Sequence, residues 1–326
     1  MSRSEPALFR RRPHLRDLPF VALGSFPTPV ERVHGLLPRG VELWVKREDL
    51  ASASYGGNKV RKLELLLGEA LALGKKRVVT IGGWGSHHAL ATAVYAQQLG
   101  LACELHLFPQ PDNEHVRAQL AADRAAGADV RQASHMIAMA PGLLASRLAD
   151  DAYYITGGGS SVTGTLGWVS AADELGEQIA RGELPAPDSI YVALGSAGTA
   201  AGMLAGLRGA AFAPEVVAVR VVEWPITSGG AARRLEARTF AALRPSPLLR
   251  RAPMAPLRVV HDQIGAGYGH TTPAALAAVE AAARVGLHLE PTYTGKAMAA
   301  LLADAVAGRL DGRRVLFLQT YAGRAR

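Results

Sequence analysis

Cysteine is almost absent: Cys103 is the only one in 326 residues. A lone thiol closes no disulfide within the chain and builds no cysteine-based metal site. It sits in the apolar segment 101–105, where a small buried strand residue is the plain reading. Long apolar runs are missing too: no stretch reaches the roughly 18 residues that a membrane-spanning helix needs. The basic N-terminus, Arg10-Arg11-Arg12-Pro13, adjoins no apolar signal-peptide core, so a soluble, cytoplasmic protein is expected. Aromatic residues are few, at 6%, and form no stacking series, while the arginines are scattered. The net charge of +8 could suggest nucleic acid, but this scatter and the missing stacking series argue against it. An anionic small-molecule substrate or cofactor accounts for a positive field equally well.

Lysine is also scarce, six against thirty arginines, and two of the six fall in Gly56-Gly57-Asn58-Lys59-Val60-Arg61-Lys62. An amine that must shed its proton to act as a nucleophile cannot be replaced by arginine, which stays charged. A glycine pair lets backbone pass close to a bulky neighbour. Lys59 is thus a candidate covalent site, set against the alternative of a solvated lysine at a helix start.

The chain read in order alternates strand and helix patterns. Residues 1–40, rich in proline and arginine, show no clear period and are expected to form an irregular arm. A strand at 41–46 precedes the glycine pair. From Lys59 the apolar positions Leu63, Leu66, Leu67, Ala70 and Leu71 recur at helical spacing. Short, almost wholly apolar strands follow at 77–81, 101–108, 129–132 and 152–156, with helices between them. Further strands fall at 189–194, 216–222, 257–261 and 314–319. This is the pattern of an α/β protein with parallel sheets. Gly157-Gly158-Gly159-Ser160-Ser161 reads as a lobe boundary, and no internal repeat is present.

Gly195-Ser196-Ala197-Gly198-Thr199 joins a buried strand to a helix. There backbone N–H groups and the helix dipole converge on an anion, although a plain tight turn is the alternative. Ser86, after a glycine-rich turn, is either a catalytic hydroxyl or a helix N-cap. His87 and His88, being adjacent, splay to different faces of a helix and are poorly placed to share one metal ion. Tyr268 and Tyr293 lie in or beside late loops. A lysine after a glycine pair, an anion cup and late hydroxyls together suit pyridoxal 5′-phosphate, which needs a Schiff-base lysine, a phosphate site and a group facing its ring nitrogen.

Several segments also resemble the 1-aminocyclopropane-1-carboxylate deaminase and D-cysteine desulfhydrase family. They are Lys46-Arg47-Glu48-Asp49, residues 56–64, Gly82-Gly83, residues 195–199 and Tyr293-Thr294-Gly295-Lys296-Ala297-Met298. The resemblance implies a tryptophan-synthase-β-like fold of two three-layer parallel-sheet lobes, with the cofactor between them and a homodimer as the usual assembly. It implies that Lys59 carries the cofactor and moves the α-proton, and that Gly195, Ser196, Ala197, Gly198 and Thr199 hold the phosphate. Tyr293 would lie at the ring, Thr294 at the pyridine nitrogen, and Ser86 and Tyr268 at the substrate. Asn58 and Thr320 would also reach the cofactor. His87 would do so as well, since it stands where the family has Asn near the 3′-oxygen.

The ring-opening deaminases carry Glu at the position of Thr294 and Leu at that of Thr320, so threonine at both places resembles the desulfhydrase branch. The implied reaction is α,β-elimination from a β-substituted amino acid such as D-cysteine, giving pyruvate and ammonia. Deamination, racemisation, β-replacement or binding without turnover are the alternatives. The late His-Thr-Gly-Gly of the family reads Gln319-Thr320-Tyr321-Ala322 here. Residues 1–58 with 159–326 are expected to form the large cofactor-binding domain and 59–158 the small one.

Overall fold

The computed structural model describes residues 5–223 and 227–322. Among these are ten strands: β1 Val30–Val33, β2 Glu42–Lys46, β3 Arg77–Gly83, β4 Ala102–Phe108, β5 Asp129–Gln132, β6 Ala152–Ile155, β7 Ser189–Leu194, β8 Glu215–Arg220, β9 Leu257–Val260 and β10 Arg314–Leu318. They form two sheets, a six-stranded one in the order β1-β2-β10-β7-β8-β9 and a four-stranded one in the order β5-β4-β3-β6. Every pairing is parallel except β1 with β2.

Side chains alternate across a strand, so a strand covered on both faces must be apolar throughout. In the six-stranded sheet Ile190, Val192 and Leu194 turn to one core with Trp168 and Leu204. Tyr191, Val217 and Phe317 turn to the other with Met298 and Leu301. The four-stranded sheet shares a third core with the helices that begin at Val60 and His87, through Val78, Leu105, Leu63, Leu67 and Ala93.

The expected irregular arm is corrected in part; its first four residues lie outside the described ones. Ala7–Arg11 is a short helix, packed through Leu8 and Phe9 against Leu65, Leu166 and Val169. Val30–Val33 adds an antiparallel edge strand to β2. Five-residue and four-residue elements are too short to show a period, and tertiary contact rather than local propensity holds them.

Candidate active site

Parallel strands of one sheet end on the same side, and the loops that leave those ends build the site. The turn before Ser86 follows β3, the Gly157 loop follows β6, the Gly195 loop follows β7, Glu223 follows β8 and Thr320 follows β10. They meet around one cavity of about 360 Å³. Asn58, Lys59, Ser86, His87, Gly195 to Thr199, Tyr268, Tyr293, Thr294 and Thr320 all line it. Residues scattered over more than two hundred positions of sequence are therefore brought to one cavity.

Lys59 is the cap residue of the helix Val60–Ala72. The glycine pair works as the sequence suggests. Gly57 has φ +82°, and a β-carbon there would stand 2.7 Å from the Thr320 carbonyl oxygen. A side chain at Gly56 would run into the Asp49 carbonyl. The Lys59 amine has no hydrogen-bond partner among the described residues, and burial lowers its pKa to about 8 from the ordinary 10.5. A charged amine held away from bulk water without a counterion is disfavoured, so far more of it is neutral near pH 7 than an ordinary lysine pKa would allow.

The Gly195–Thr199 loop carries the backbone into the helix Gly198–Leu207 through Ala197, which is left-handed at φ +68°. Ser196 Oγ and Ser160 Oγ lie 2.8 Å apart, and Gly198 N–H donates to Ser160 Oγ at 3.2 Å. Asn58 Nδ2 donates to Thr199 Oγ1 at 3.0 Å. Lys62 Nζ donates to the Gly158 carbonyl at 2.9 Å and reaches Ser160 Oγ at 3.4 Å. A β-carbon at Gly198 would meet Lys62 Nζ at 2.7 Å and Ser160 Oγ at 2.5 Å. Burial, with the Lys59 charge added, pushes the Lys62 pKa well below its usual value. A buried amine without an anionic partner, beside hydroxyls and a helix N-terminus, is a cradle for a dianion, whose charge would favour the protonated amine.

Sequence reasoning missed Lys62 and Ser160 as site residues. Lys62 was legible from its i,i+3 spacing to Lys59, which puts both amines near one helix face. Ser160 was not, because its role depends on the fold closing the 157–160 loop against residues 196–198.

Ser86 is the helix N-cap of the two readings: its Oγ accepts from Ala89 N–H at the start of the helix His87–Gln98, and the residue also lines the cavity. The two histidines splay as expected. His88 Nε2 donates to Thr80 Oγ1 at 2.9 Å, since the Thr80 proton goes to the Ile155 carbonyl at 2.8 Å. His87 instead turns to Tyr55 and Gln119. Across the cavity the Tyr268 and Tyr293 hydroxyls are 2.5 Å apart. Burial raises the Tyr268 pKa to about 12, and burial with the neighbouring phenol raises Tyr293 well above its usual value. Both phenols keep their protons.

Thr294 opens the helix Thr294–Val306 and its hydroxyl is turned to Glu290, 3.2 Å from Oε1 and 3.3 Å from the carbonyl. The Glu290 carboxylate also accepts from the N–H groups of Thr292, Tyr293 and Thr294 at 2.7 to 2.8 Å, a side-chain cap that the sequence reading passed over.

The profile of the family described as "Pyridoxal-phosphate dependent enzyme" matches residues 21–320. The chain belongs to that family. D-cysteine desulfhydrase of Serratia proteamaculans is 32% identical, with 94% of each chain covered. The bifunctional D-cysteine desulfhydrase/1-aminocyclopropane-1-carboxylate deaminase of Arabidopsis thaliana is 33% identical, over 94% of this chain and 79% of that one. A solved structure described as a homologue of ACC deaminase superposes with a TM-score of 0.81 at 30% identity, covering 98% of this chain and 95% of the other. The fold is the tryptophan-synthase-β-like one, and the protein is a pyridoxal-phosphate-dependent lyase. The cradle at Gly198 and the partnerless buried amine of Lys59 fit that cofactor in size and chemistry. No helix among the described residues is long and apolar enough to cross a membrane.

Proposed function

We propose that the protein eliminates the β-substituent of a D-amino acid, with D-cysteine as its type substrate, releasing pyruvate, ammonia and hydrogen sulfide, and that it does so as a cytoplasmic homodimer. The observation that carries the reading is Lys59: a deeply placed amine lowered to about 8 and without a protein partner, in the same cavity as an anion cup. Support for the substrate comes from the similarity to D-cysteine desulfhydrases across most of the chain.

When bound, pyridoxal phosphate supplies an electron sink that makes the α-proton of an amino acid acidic. Lys62, Ser160, Ser196, Thr199 and the N–H groups at the start of the helix Gly198–Leu207 would hold its phosphate. Lys59 Nζ, in its neutral form, takes the α-proton. Ser86 Oγ and the N-terminus of the helix His87–Gln98 receive the substrate carboxylate. The Tyr268–Tyr293 pair keeps a proton at hand for the departing thiolate. Thr294, with its hydroxyl engaged by Glu290, is a weak partner for a ring nitrogen, and that suits elimination better than ring opening. Residues 1–58 with 159–326 form the cofactor-holding lobe in this reading, and 59–158 the small lobe.

The test is a titration of the purified protein with D-cysteine, following the visible band of the bound cofactor together with pyruvate. A band that shifts while pyruvate and sulfide accumulate is the expected result. A racemised or substituted amino acid in place of pyruvate would move the protein to racemisation or β-replacement. A Lys59→Ala variant that still fixes the cofactor on borohydride reduction would remove the lysine from its role.

A further inference from the structure

His87 has one ring nitrogen engaged and one idle. Its Nδ1 faces the Tyr55 hydroxyl at 2.8 Å and Gln119 Nε2 at 3.1 Å. An amide nitrogen carries only hydrogens, so Gln119 donates and Nδ1 accepts. A phenol beside a bare ring nitrogen donates as well. A neutral imidazole has a single proton, which is thereby left on Nε2. The ring does not escape by charging, because burial, and after it the charges of His115 and Lys59, lowers its pKa to about 3.

Nε2 is buried and meets no hydrogen-bond partner among the described residues. Leaving a buried donor unpaired is costly, and a ligand acceptor removes that cost. The rings of His115, Tyr321 and Tyr293 stand 5.1, 5.0 and 6.4 Å from that of His87, which lines the cavity beside Lys59. An asparagine carboxamide here could turn either an oxygen or an N–H to a ligand. A histidine whose tautomer is fixed can offer only the N–H.

We propose that Tyr55 and Gln119 are positioning residues that lock His87 as its Nε2–H tautomer, so that a neutral donor is held ready for an acceptor oxygen of the cofactor. The inference rests on the cofactor reading of the cavity given above. Tyr55 stands one residue before the glycine pair and Gln119 on the helix Glu114–Ala125. Two segments far apart in sequence thus converge on one nitrogen and leave the other free.

The experiment labels histidine with ¹⁵N in the full-length protein and reads long-range ¹H–¹⁵N correlations, with cofactor bound and after its displacement. Wild-type His87 is expected to show a protonated Nε2 and a bare Nδ1 in both states, with the Nε2 proton signal moving when cofactor binds. Gln119→Glu supplies an acceptor instead of a donor, so the proton should shift to Nδ1 and cofactor affinity should fall about tenfold, on the order of 1.4 kcal/mol. Tyr55→Phe removes one oxygen and little volume, and should give a mixed tautomer if Gln119→Glu fails to fold. A wild-type proton on Nδ1, or tautomers that ignore both substitutions, overturns the lock. A lock that holds while cofactor binding leaves the Nε2 signal and the Gln119→Glu affinity unchanged overturns the contact with the cofactor. Absence of any cofactor binding would defeat the cofactor reading instead, and the tautomer measured without cofactor still decides the lock.

Discussion

In the proposed reaction Lys59 would need its proton gone to form a covalent link and would regain one on taking up an α-proton. Its surroundings fit that double duty, because burial without a counterion brings the pKa to about 8 from 10.5. The cofactor-free protein should therefore combine with pyridoxal phosphate at a rate that climbs with pH through a midpoint near 8. Stopped-flow absorbance over a pH series reads this directly. A midpoint two units higher would mean that the amine is solvated. The same shift has a thermodynamic sign. Between pH 8 and 10.5 the unfolded chain binds the Lys59 proton more often than the folded one, so this group alone makes stability rise with pH across that window. The depressed pKa costs fold stability at neutral pH, which is what a reactive amine requires.

The helix Val60–Ala72 holds that lysine at its first turn, and a buried ion cluster anchors the helix. Arg61 donates to both oxygens of Glu48 at 2.7 and 2.8 Å and to Glu174 at 2.8 and 3.1 Å, while Lys46 donates to Glu174 at 2.6 Å. All four side chains are almost wholly removed from solvent. Burial by itself would raise the Glu174 pKa, but Arg61 and Lys46 outweigh it and hold the carboxyl at about 2. Its stabilising contribution is full above about pH 4.5 and is lost as the pH falls from there towards 2. Glu174→Gln leaves two buried cations sharing Glu48 alone and should cost about 3–5 kcal/mol in urea unfolding at neutral pH, with a smaller difference in acid. An unchanged midpoint would show that water reaches the cluster.

The lysine segment was legible because its message is local: scarce lysine, a glycine pair, then a helical period. Gly195 to Thr199 was legible for the same reason, lying between an apolar strand and a helix. Glu48, Glu174 and Ser160 were not. Each looks like a polar residue on a helix or loop until side chains from other elements close over it. His87 was placed in the site only through the family resemblance, and nothing local signals the two donors that orient its ring.

At the scale of the whole molecule the two sheets face each other across the cavity, and their loops touch over its mouth. On the side of the four-stranded sheet, Gln110 Oε1 accepts from Gly85 N–H at 2.6 Å, which steadies the turn before Ser86. On the opposite side, the Tyr268 N–H donates to Glu223 Oε1 at 2.7 Å, and Lys296 Nζ holds the Ile264 carbonyl at 2.8 Å. The two sides meet where Gly269 backs onto Gln110 and where the Phe108 and Tyr268 rings lie 6.2 Å apart. A β-carbon on Gly269 would come within 2.8 Å of Gln110 Nε2 and 3.1 Å of Pro111 Cδ, at a φ of +80°. Gly269→Ala should thus cost about 1–2 kcal/mol in backbone strain and wedge the mouth apart. The neighbours of Gly269 at this contact are Gln110 and Pro111, not Lys59 or residues 195–199, so cofactor affinity and the visible band should stay as they are. The loss should fall on turnover: about tenfold in kcat/KM, because the Tyr268–Tyr293 pair no longer closes on the substrate. Steady-state kinetics per bound cofactor, compared with Gln110→Ala, separates the cases. If Gly269→Ala sheds cofactor yet keeps its turnover per occupied site, the loop supports the cofactor and does not close the cleft. If only kcat/KM falls, and Gln110→Ala partly restores it in the double variant by making room for the methyl, contact between the two sides sets the rate.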